Sequence, residues 1–512
     1  MRFKLYLKNA VLLTAGGFVL RLLGMAFRVY IAGYLGSEGM GLYQLILAVY
    51  GVFIALSSAG INVASTRLAA QSLARGRGMA QTLWGLVGAA ACLGTAAMLA
   101  QFALAPVVAR WALHDMRAEL GLRVLAPSLP FLAVAGALRG CFLARRRVGP
   151  NILAQLAEQA VRMLVAAMAL ALLAGWGAGY ACAAVLIGNT VSEACSCLLM
   201  ACFAGREPAF RPRPSDPVQG FARRELWAIA LPVGGNRLLV SILQAVESSL
   251  IPMCLTLHLG QRGEAVAQYG ALKGMALPLI FFPFSVLSAM SGLLMPEITR
   301  AHTRKDKTAE ARLIDTTMRT AGLFSAVAGA GLILFGEPLA TLVYREEAVG
   351  LYVSLLGWVA PFMYLESMVD GILKGLGEQL ATFRYAVLDS GVRILAAVLL
   401  VPRYGALGFL GMMAISNLMT CLLNTARMLR CTRMRPRPGA WLLVPAAVAG
   451  LGALATLATR QVVSSGMAGL VAQLAVFGAG AGVPAVFLFV KNRDLVRQVR
   501  HRHTGTGPVR TP

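Results

Sequence analysis

Arg21 and Arg28 stand seven residues apart in an apolar run that contains no Asp or Glu, VLLTAGGFVLRLLGMAFRVYIAGYLG at 11–36. On a helix, seven residues return to within about 20° of the same face, two turns on. Two guanidinium groups then share one face, each a planar fork of donors shaped for carboxylate or phosphate oxygens. A lone cation at the centre of a bilayer costs from about 2.5 kcal/mol on insertion scales to 10 or more in simulations, so it needs a partner. With no acid on their own helix, these arginines take compensation from another helix, from water, or from an anionic ligand. The bland alternative is that their long stems carry the charge to the nearer surface.

A second polar stripe, Arg237, Ser241, Gln244 and Ser248 with Asn236 and Glu247 beside it, recurs at helical spacing in another apolar run. Glu247 either pairs with Arg237 or an arginine of the first run, or serves proton or ion coupling. Lys273 lies five residues before Pro278 in a proline-interrupted run and adds a third candidate cation; solvation at a helix end is its bland reading. Glu158 with Arg162, and Asp389 with Arg393, each sit one helical turn apart and can neutralise each other. These pairs serve either as local structural ion pairs or in coupling. Glu366, Asp370 and Lys374, also one turn apart, suggest an intracellular cap.

The elements that must hold these groups follow from composition. A 512-residue chain that is 58% hydrophobic and only 13% charged is an integral membrane protein. Fourteen runs reach the length that crosses a hydrocarbon core of about 30 Å: 9–34, 40–62, 80–104, 121–142, 150–174, 178–203, 226–257, 267–295, 320–343, 350–373, 382–401, 406–427, 440–459 and 467–490. With the N-terminus cytoplasmic, 33 of the 47 Lys and Arg fall on that side, seven on the other and seven inside the spans. Orientation by positive charge accounts for the net +25, so nucleic acid is not needed as a partner. Both termini are expected in the cytoplasm, with the chain in the plasma membrane. The nine cysteines show no CxxC spacing, which argues against disulfide and zinc sites.

The charged pairs also expose a repeat. At a constant offset of 231, Pro130 and Phe131 match Pro361 and Phe362, Gly140 matches Gly371, and Glu158 and Arg162 match Asp389 and Arg393. LGSEG at 35–39 echoes LGQRG at 259–263, and Asn189 echoes Asn417. Six spans per half is an even number, so the halves enter from the same side and are related by an axis along the membrane normal. The expected layout is an N-terminal lobe at 1–204, a cytoplasmic linker at 205–225 and a C-terminal lobe at 226–430. Two appended spans at 431–490 and a basic cytoplasmic tail at 491–512 follow. Such all-α bundles place a cargo site between the lobes. No HExxH, P-loop or GxSxG motif occurs and no hydrophilic stretch is long enough for a catalytic domain, so an enzyme is not expected.

Three stretches, RLLGMAFRVYIAGYLGSEGMGLYQLILAVY (21–50), QLAEQAVRMLVAA (155–167) and QYGALKGMALPLIFFPFSVLSAMSGLLMPEIT (268–299), carry a family resemblance. The chain resembles the stage V sporulation protein B group, polysaccharide-exporter-like members of the multidrug/oligosaccharidyl-lipid/polysaccharide flippase superfamily. That resemblance implies two six-helix lobes about a V-shaped cavity, and movement of an undecaprenyl-pyrophosphate-linked saccharide such as lipid II to the outer leaflet. It implies basic cavity residues in the first and eighth spans, where Arg21, Arg28 and Lys273 stand, and a lipid-tail groove in the last two. Two departures stand out: related lipid II flippases space the arginines six apart rather than seven, and their acidic residue at the start of span two has no counterpart around Gly39 to Tyr43.

The expected function is a lipid-linked oligosaccharide flippase binding its pyrophosphate through Arg21, Arg28, Arg237, Gln244 and Lys273, working among membrane lipids and beside cell-wall synthesis enzymes. Coupling to protons or sodium is left open, as is a sporulation setting, and no other cofactor is implied. The alternatives are an organic-cation or drug antiporter, which needs a carboxylate-dominated pocket, and a non-transporting envelope scaffold.

Overall fold

The structure is a computed structural model that describes residues 2–58, 60–74, 79–210, 223–460 and 467–491. Most of the expected linker, the 461–466 connection and the basic tail beyond Lys491 lie outside the described residues. What is described is helical throughout, without strands.

In the first half, α1 (Arg2–Ser58) carries the first two spans as two arms joined at Gly36. It is followed by α2 (Ile61–Ala74), α3 (Met79–Val107), α4 (Arg117–Leu125), α5 (Ser128–Ala144), α6 (Gly149–Leu173) and α7 (Ala178–Arg206). The second half opens with α8 (Arg223–Leu259) and α9 (Arg262–Tyr269). A π-helical turn, Gly270–Ala276, then leads into α10 (Leu277–Thr303). α11 (Lys307–Tyr344), α12 (Glu347–Gly357) and α13 (Ala360–Gly375) follow, and α14 (Gln379–Thr432) carries two more spans around a break at Gly405. The last helices are α15 (Val444–Arg460) and α16 (Met467–Lys491). Ten of the described helices are long and apolar enough to cross a membrane, and α12 with α13, bent by 57°, forms an eleventh span. Counting both arms of α1 and of α14, together with α16, gives the fourteen expected segments; the protein is a multi-pass membrane protein.

The repeat read in the sequence has a backbone counterpart. Gly36 and Gly260, the second residues of LGSEG and LGQRG, both adopt positive φ, 63° and 76°. Only glycine takes that conformation without steric cost, which lets the chain turn back sharply between spans. Gly177 and Gly405, matched at the offset that relates Asn189 to Asn417, share the same property at 111° and 56°. All four breaks fall at chain reversals equivalent in the two halves.

Two stretches expected as loops are helical. Most of the Arg67 to Arg77 connection forms α2, and the Arg300 to Arg319 connection is taken up by the ends of α10 and α11. The second has a local cause: Asp306 caps α11 by accepting from the Ala309 amide at 2.9 Å, and Lys307–Glu310 and Arg319–Asp315 pair at 3.3 and 2.9 Å along it. The two halves share one buried apolar cluster that includes Phe27 and Ile31 on α1, Tyr269 on α9 and Phe409 on α14. At the Gly36 end Arg262 of α9 donates to the Leu113 carbonyl of the first half.

Candidate functional site

A cavity of about 520 Å³ opens where the second arm of α1 meets α8, the π turn, α10, α13 and α14. Its α1 wall runs from Gln44 to Gly51, eight to fifteen residues past the break at Gly36. At 1.5 Å per residue that is roughly 12–22 Å from the break, the middle of a bilayer core of about 30 Å.

Four of the stripe residues read on α8 do face this space: Ser241, Gln244, Glu247 and Ser248. Lys273 joins them from the π turn, a local widening that α-helices commonly show at functional sites and that Pro278, just beyond, favours by lacking an amide hydrogen. Its Nζ donates to Ser248 Oγ at 2.7 Å and lies 5.6 Å from the Tyr269 ring centre. Lys273 is therefore half-buried in the chamber wall rather than solvated at a helix end.

Arg393 reaches the same chamber from α14. It pairs with Asp389 at 2.9 Å, donates to Ser416 Oγ at 2.7 Å and lies 3.8 Å from Glu247. Ser416 in turn donates to Asp389. The expected Asp389–Arg393 pair thus exists but is not merely local, and Glu247 takes Arg393 as its partner in place of Arg237 or a span-one arginine. Its counterpart in the first half is tied differently. Glu158 accepts from Arg162 at 2.8 Å and from Arg139 on α5 at 2.7 Å, while Glu193 on α7 lies 3.7 Å from Arg162.

The remaining predicted cations stand apart from the cavity lining. Arg21 crosses from the first half to the second, donating to the Ser285 carbonyl and to Ser288 Oγ of α10, each at 2.8 Å. No carboxylate pairs with it among the described residues. Arg28 and Arg237 have neither hydrogen-bond nor ion-pair partners among the described residues. Arg237 is exposed on α8, one turn from Ser241 at the chamber wall.

The structure also brings to the chamber groups that the sequence reading placed elsewhere or passed over. Glu366 faces the chamber and accepts from Asn424 at 3.0 Å, while Asp370 and Lys374 pair with each other at 2.5 Å, so the expected three-residue cap is a pair. Gln44 lines the wall with its Nε2 buried and without an acceptor, and Phe281 and Phe284 supply aromatic surface. The chamber is therefore of mixed charge, with Lys273 and Arg393 against Glu247 and Glu366, and of the basic residues expected in the first and eighth spans only Lys273 lines it. Arg139 carried a sequence signal: it aligns with Asp370 at the repeat offset, an intramembrane charge reversal.

Residues 6–302 match the family model described as Polysaccharide biosynthesis protein. The chain is 26% identical over 420 residues to Stage V sporulation protein B of Bacillus subtilis (strain 168), covering 79% of each. It is 24% identical over 423 residues to Lipid II flippase MurJ of the same strain, covering 77% of each. Among solved structures, Lipid II flippase MurJ in an inward closed conformation superposes with a TM-score of 0.73 at 14% identity, over 95% of this chain and 100% of that one. An inward-facing multidrug resistance MATE family transporter of the MOP superfamily gives 0.64 at 15% identity, over 81% and 96%. The structural likenesses speak for the fold, and the family match covers more than half of the sequence. By that match the chain belongs to the polysaccharide biosynthesis protein family.

Proposed function

We propose that the protein moves a polyprenyl-pyrophosphate-linked saccharide, lipid II or a related cell-wall or polysaccharide precursor, from the inner to the outer leaflet by alternating access. The observation that carries this reading is Arg21: an exposed guanidinium on the first span, bridging the two halves through a carbonyl and a hydroxyl with no carboxylate pairing with it among the described residues. Its charge is available to an anion, and Arg28 and Arg237 offer two more on the helices that correspond in the two halves. A pyrophosphate held there leaves the polyprenyl tail in lipid and brings the saccharide to the chamber. The similarity to Lipid II flippase MurJ supports the same cargo class.

With both termini in the cytoplasm and the interior negative, outward movement of an anionic headgroup gains about 2.3 kcal/mol per charge per 100 mV. Return of an empty cationic site is favoured likewise, so the potential can set direction without an ion. The test is leaflet transfer of a fluorescent pyrophosphoryl-polyprenyl saccharide in vesicles containing the purified protein. Transfer that requires the protein supports the reading; vesicles no faster than empty ones refute it. A second reading has one observation in its favour: Glu247 and Glu366 in the chamber suit an organic cation, and export of a lipophilic cation in the same vesicles is what it requires.

A further inference from the structure

The charges that line the chamber balance in number but are not all paired. Arg393 is held by Asp389 at 2.9 Å with Glu247 at 3.8 Å, two carboxylates to one guanidinium. Lys273 donates to a serine hydroxyl and, among the described residues, has no carboxylate within ion-pair distance. Glu366 accepts from an amide and, among the described residues, has no cation within ion-pair distance, the nearby Lys374 being taken by Asp370. Two carboxylates (Glu247, Glu366) and two cations (Lys273, Arg393) line a space at mid-membrane depth, and because Arg393 is already held by Asp389, Glu366 is left without a counter-charge of its own. A buried charge without a counter-charge is costly, so it marks a place where a ligand supplies the complement.

Resting on the proposed function, we propose that the chamber selects a headgroup carrying a primary ammonium, which docks on Glu366, while the pyrophosphate stays with the arginines outside the chamber. Other features of the wall fit the rest of such a headgroup. Gln44 Nε2 is a buried donor with no acceptor, ready for a hydroxyl or carbonyl oxygen of the cargo. Gln244 and Asn417 add amides, and Phe281 and Phe284 present apolar surface against which a sugar ring or an aliphatic stem can lie. Lys273 then meets a carboxylate or carbonyl of the same headgroup. An aminosugar with a free amine and a peptide stem ending in a lysine-type amine offer the same chemistry. A cargo bearing both charges also accounts for carboxylates and free arginines in one transporter, which neither a purely anionic nor a purely cationic cargo does.

The test uses the whole protein in vesicles and four pyrophosphoryl-polyprenyl lipids: a disaccharide with a free sugar amine, its N-acetylated form, a disaccharide-peptide with a free lysine amine, and its N-acetylated form. One or both amines are expected to raise transfer or binding at least about tenfold over the acetylated partner, and the pair that responds identifies the source of the ammonium. Glu366→Gln is expected to bring that ratio toward one. Equal handling of all four lipids by the wild-type protein overturns the ammonium site while leaving the flippase reading intact. Failure to transfer any of them, with export of a lipophilic cation instead, overturns the flippase reading itself. The wild-type ratio stands independently of whether the variant folds.

Discussion

Gly270 packs on Gly41 across the two halves so closely that a Cβ added to Gly270 would stand 2.5 Å from the Gly41 amide nitrogen and would collide with the Ser37 carbonyl. Backbone meets backbone here, at the end of the bundle where α1 breaks at Gly36. The contact can close only because neither residue has a side chain. Gly270→Ala is expected to wedge this end apart, with an overpacking cost of about 1–3 kcal/mol in the closed state. Spin labels at Leu120 on α4 and Leu351 on α12, both exposed, should report a longer distance in the variant. An unchanged distance distribution would show that the crossing is static packing rather than a gate.

Arg21 holds two acceptors of α10 with one planar fork, a geometry that lysine cannot reproduce. If its role is to offer positive charge to pyrophosphate, Arg21→Lys should retain a measurable part of leaflet transfer and Arg21→Ala should lose tenfold or more. If instead the role is to hold α1 to α10, both variants should fail alike and both should lower thermal stability. Transfer rate and unfolding temperature measured together on the two variants separate these cases.

Arg393 serves Asp389 and Glu247 at once, so its removal leaves two carboxylates without a counter-charge. Arg393→Ala should destabilise by about 3 kcal/mol or more. Adding Asp389→Asn should recover a substantial part of that loss, because the remaining problem is unpaired charge rather than lost packing. Thermal unfolding of the single and double variants in one detergent is the measurement, and a double variant less stable than the single would contradict this account.

These groupings show what the sequence alone could reach. The spans, the parallel halves and the Glu158–Arg162 and Asp389–Arg393 pairs were legible because helical spacing is periodic and the repeat preserves register. The matched breaks at Gly36 and Gly260 were foreshadowed by LGSEG and LGQRG, although the motif does not state that both glycines turn the chain. The chamber was not legible, because it is a property of six segments meeting. Nothing in the spacing of Glu247 reveals that Arg393, 146 residues away, is nearer to it than Arg237. Glu366 was read with Asp370 and Lys374 because they share a helix face. Its outlook on the cavity depends on α13 packing against α14, where Asn424 meets it. The helical extensions at α2 and α11 escaped a hydropathy reading because they are polar helices outside the spans.

At the junction of α13 and α14, Glu378 accepts from Arg427 at 2.7 Å and from the Cys431 thiol, and these bonds hold its carboxylate below the usual glutamate range. A lowered folded-state pKa means that the stabilisation is fully present above the unfolded value of about 4.3 and is lost as pH falls through the folded value. Wild type and Glu378→Gln should therefore differ most in unfolding temperature at about pH 6, and the difference should shrink as pH falls below about 4. The difference should be small, since the pair is partly exposed to solvent. A gap that persists undiminished at the lower pH would assign the effect to packing.

In the first half the two glutamates around Arg162 are not equivalent. Glu158 bridges Arg139 and Arg162 with both oxygens occupied, at 2.7 and 2.8 Å. Glu193 is buried, reaches Arg162 only at 3.7 Å, and leaves Oε2 without any hydrogen bond. Removing a charge that is poorly compensated relieves a desolvation cost, whereas removing one that satisfies two guanidinium groups strands both. Glu193→Gln should therefore leave unfolding temperature unchanged or raise it, and Glu158→Gln should lower it, by an amount corresponding to about 3 kcal/mol. The contrast is sharper than either number, because the two residues share a partner and lie on adjacent helices. If Glu193→Gln destabilises as much as Glu158→Gln, the orphaned oxygen must be satisfied in the membrane by a proton or a bound cation. Repeating the measurement across pH and sodium concentration then identifies which of the two it is.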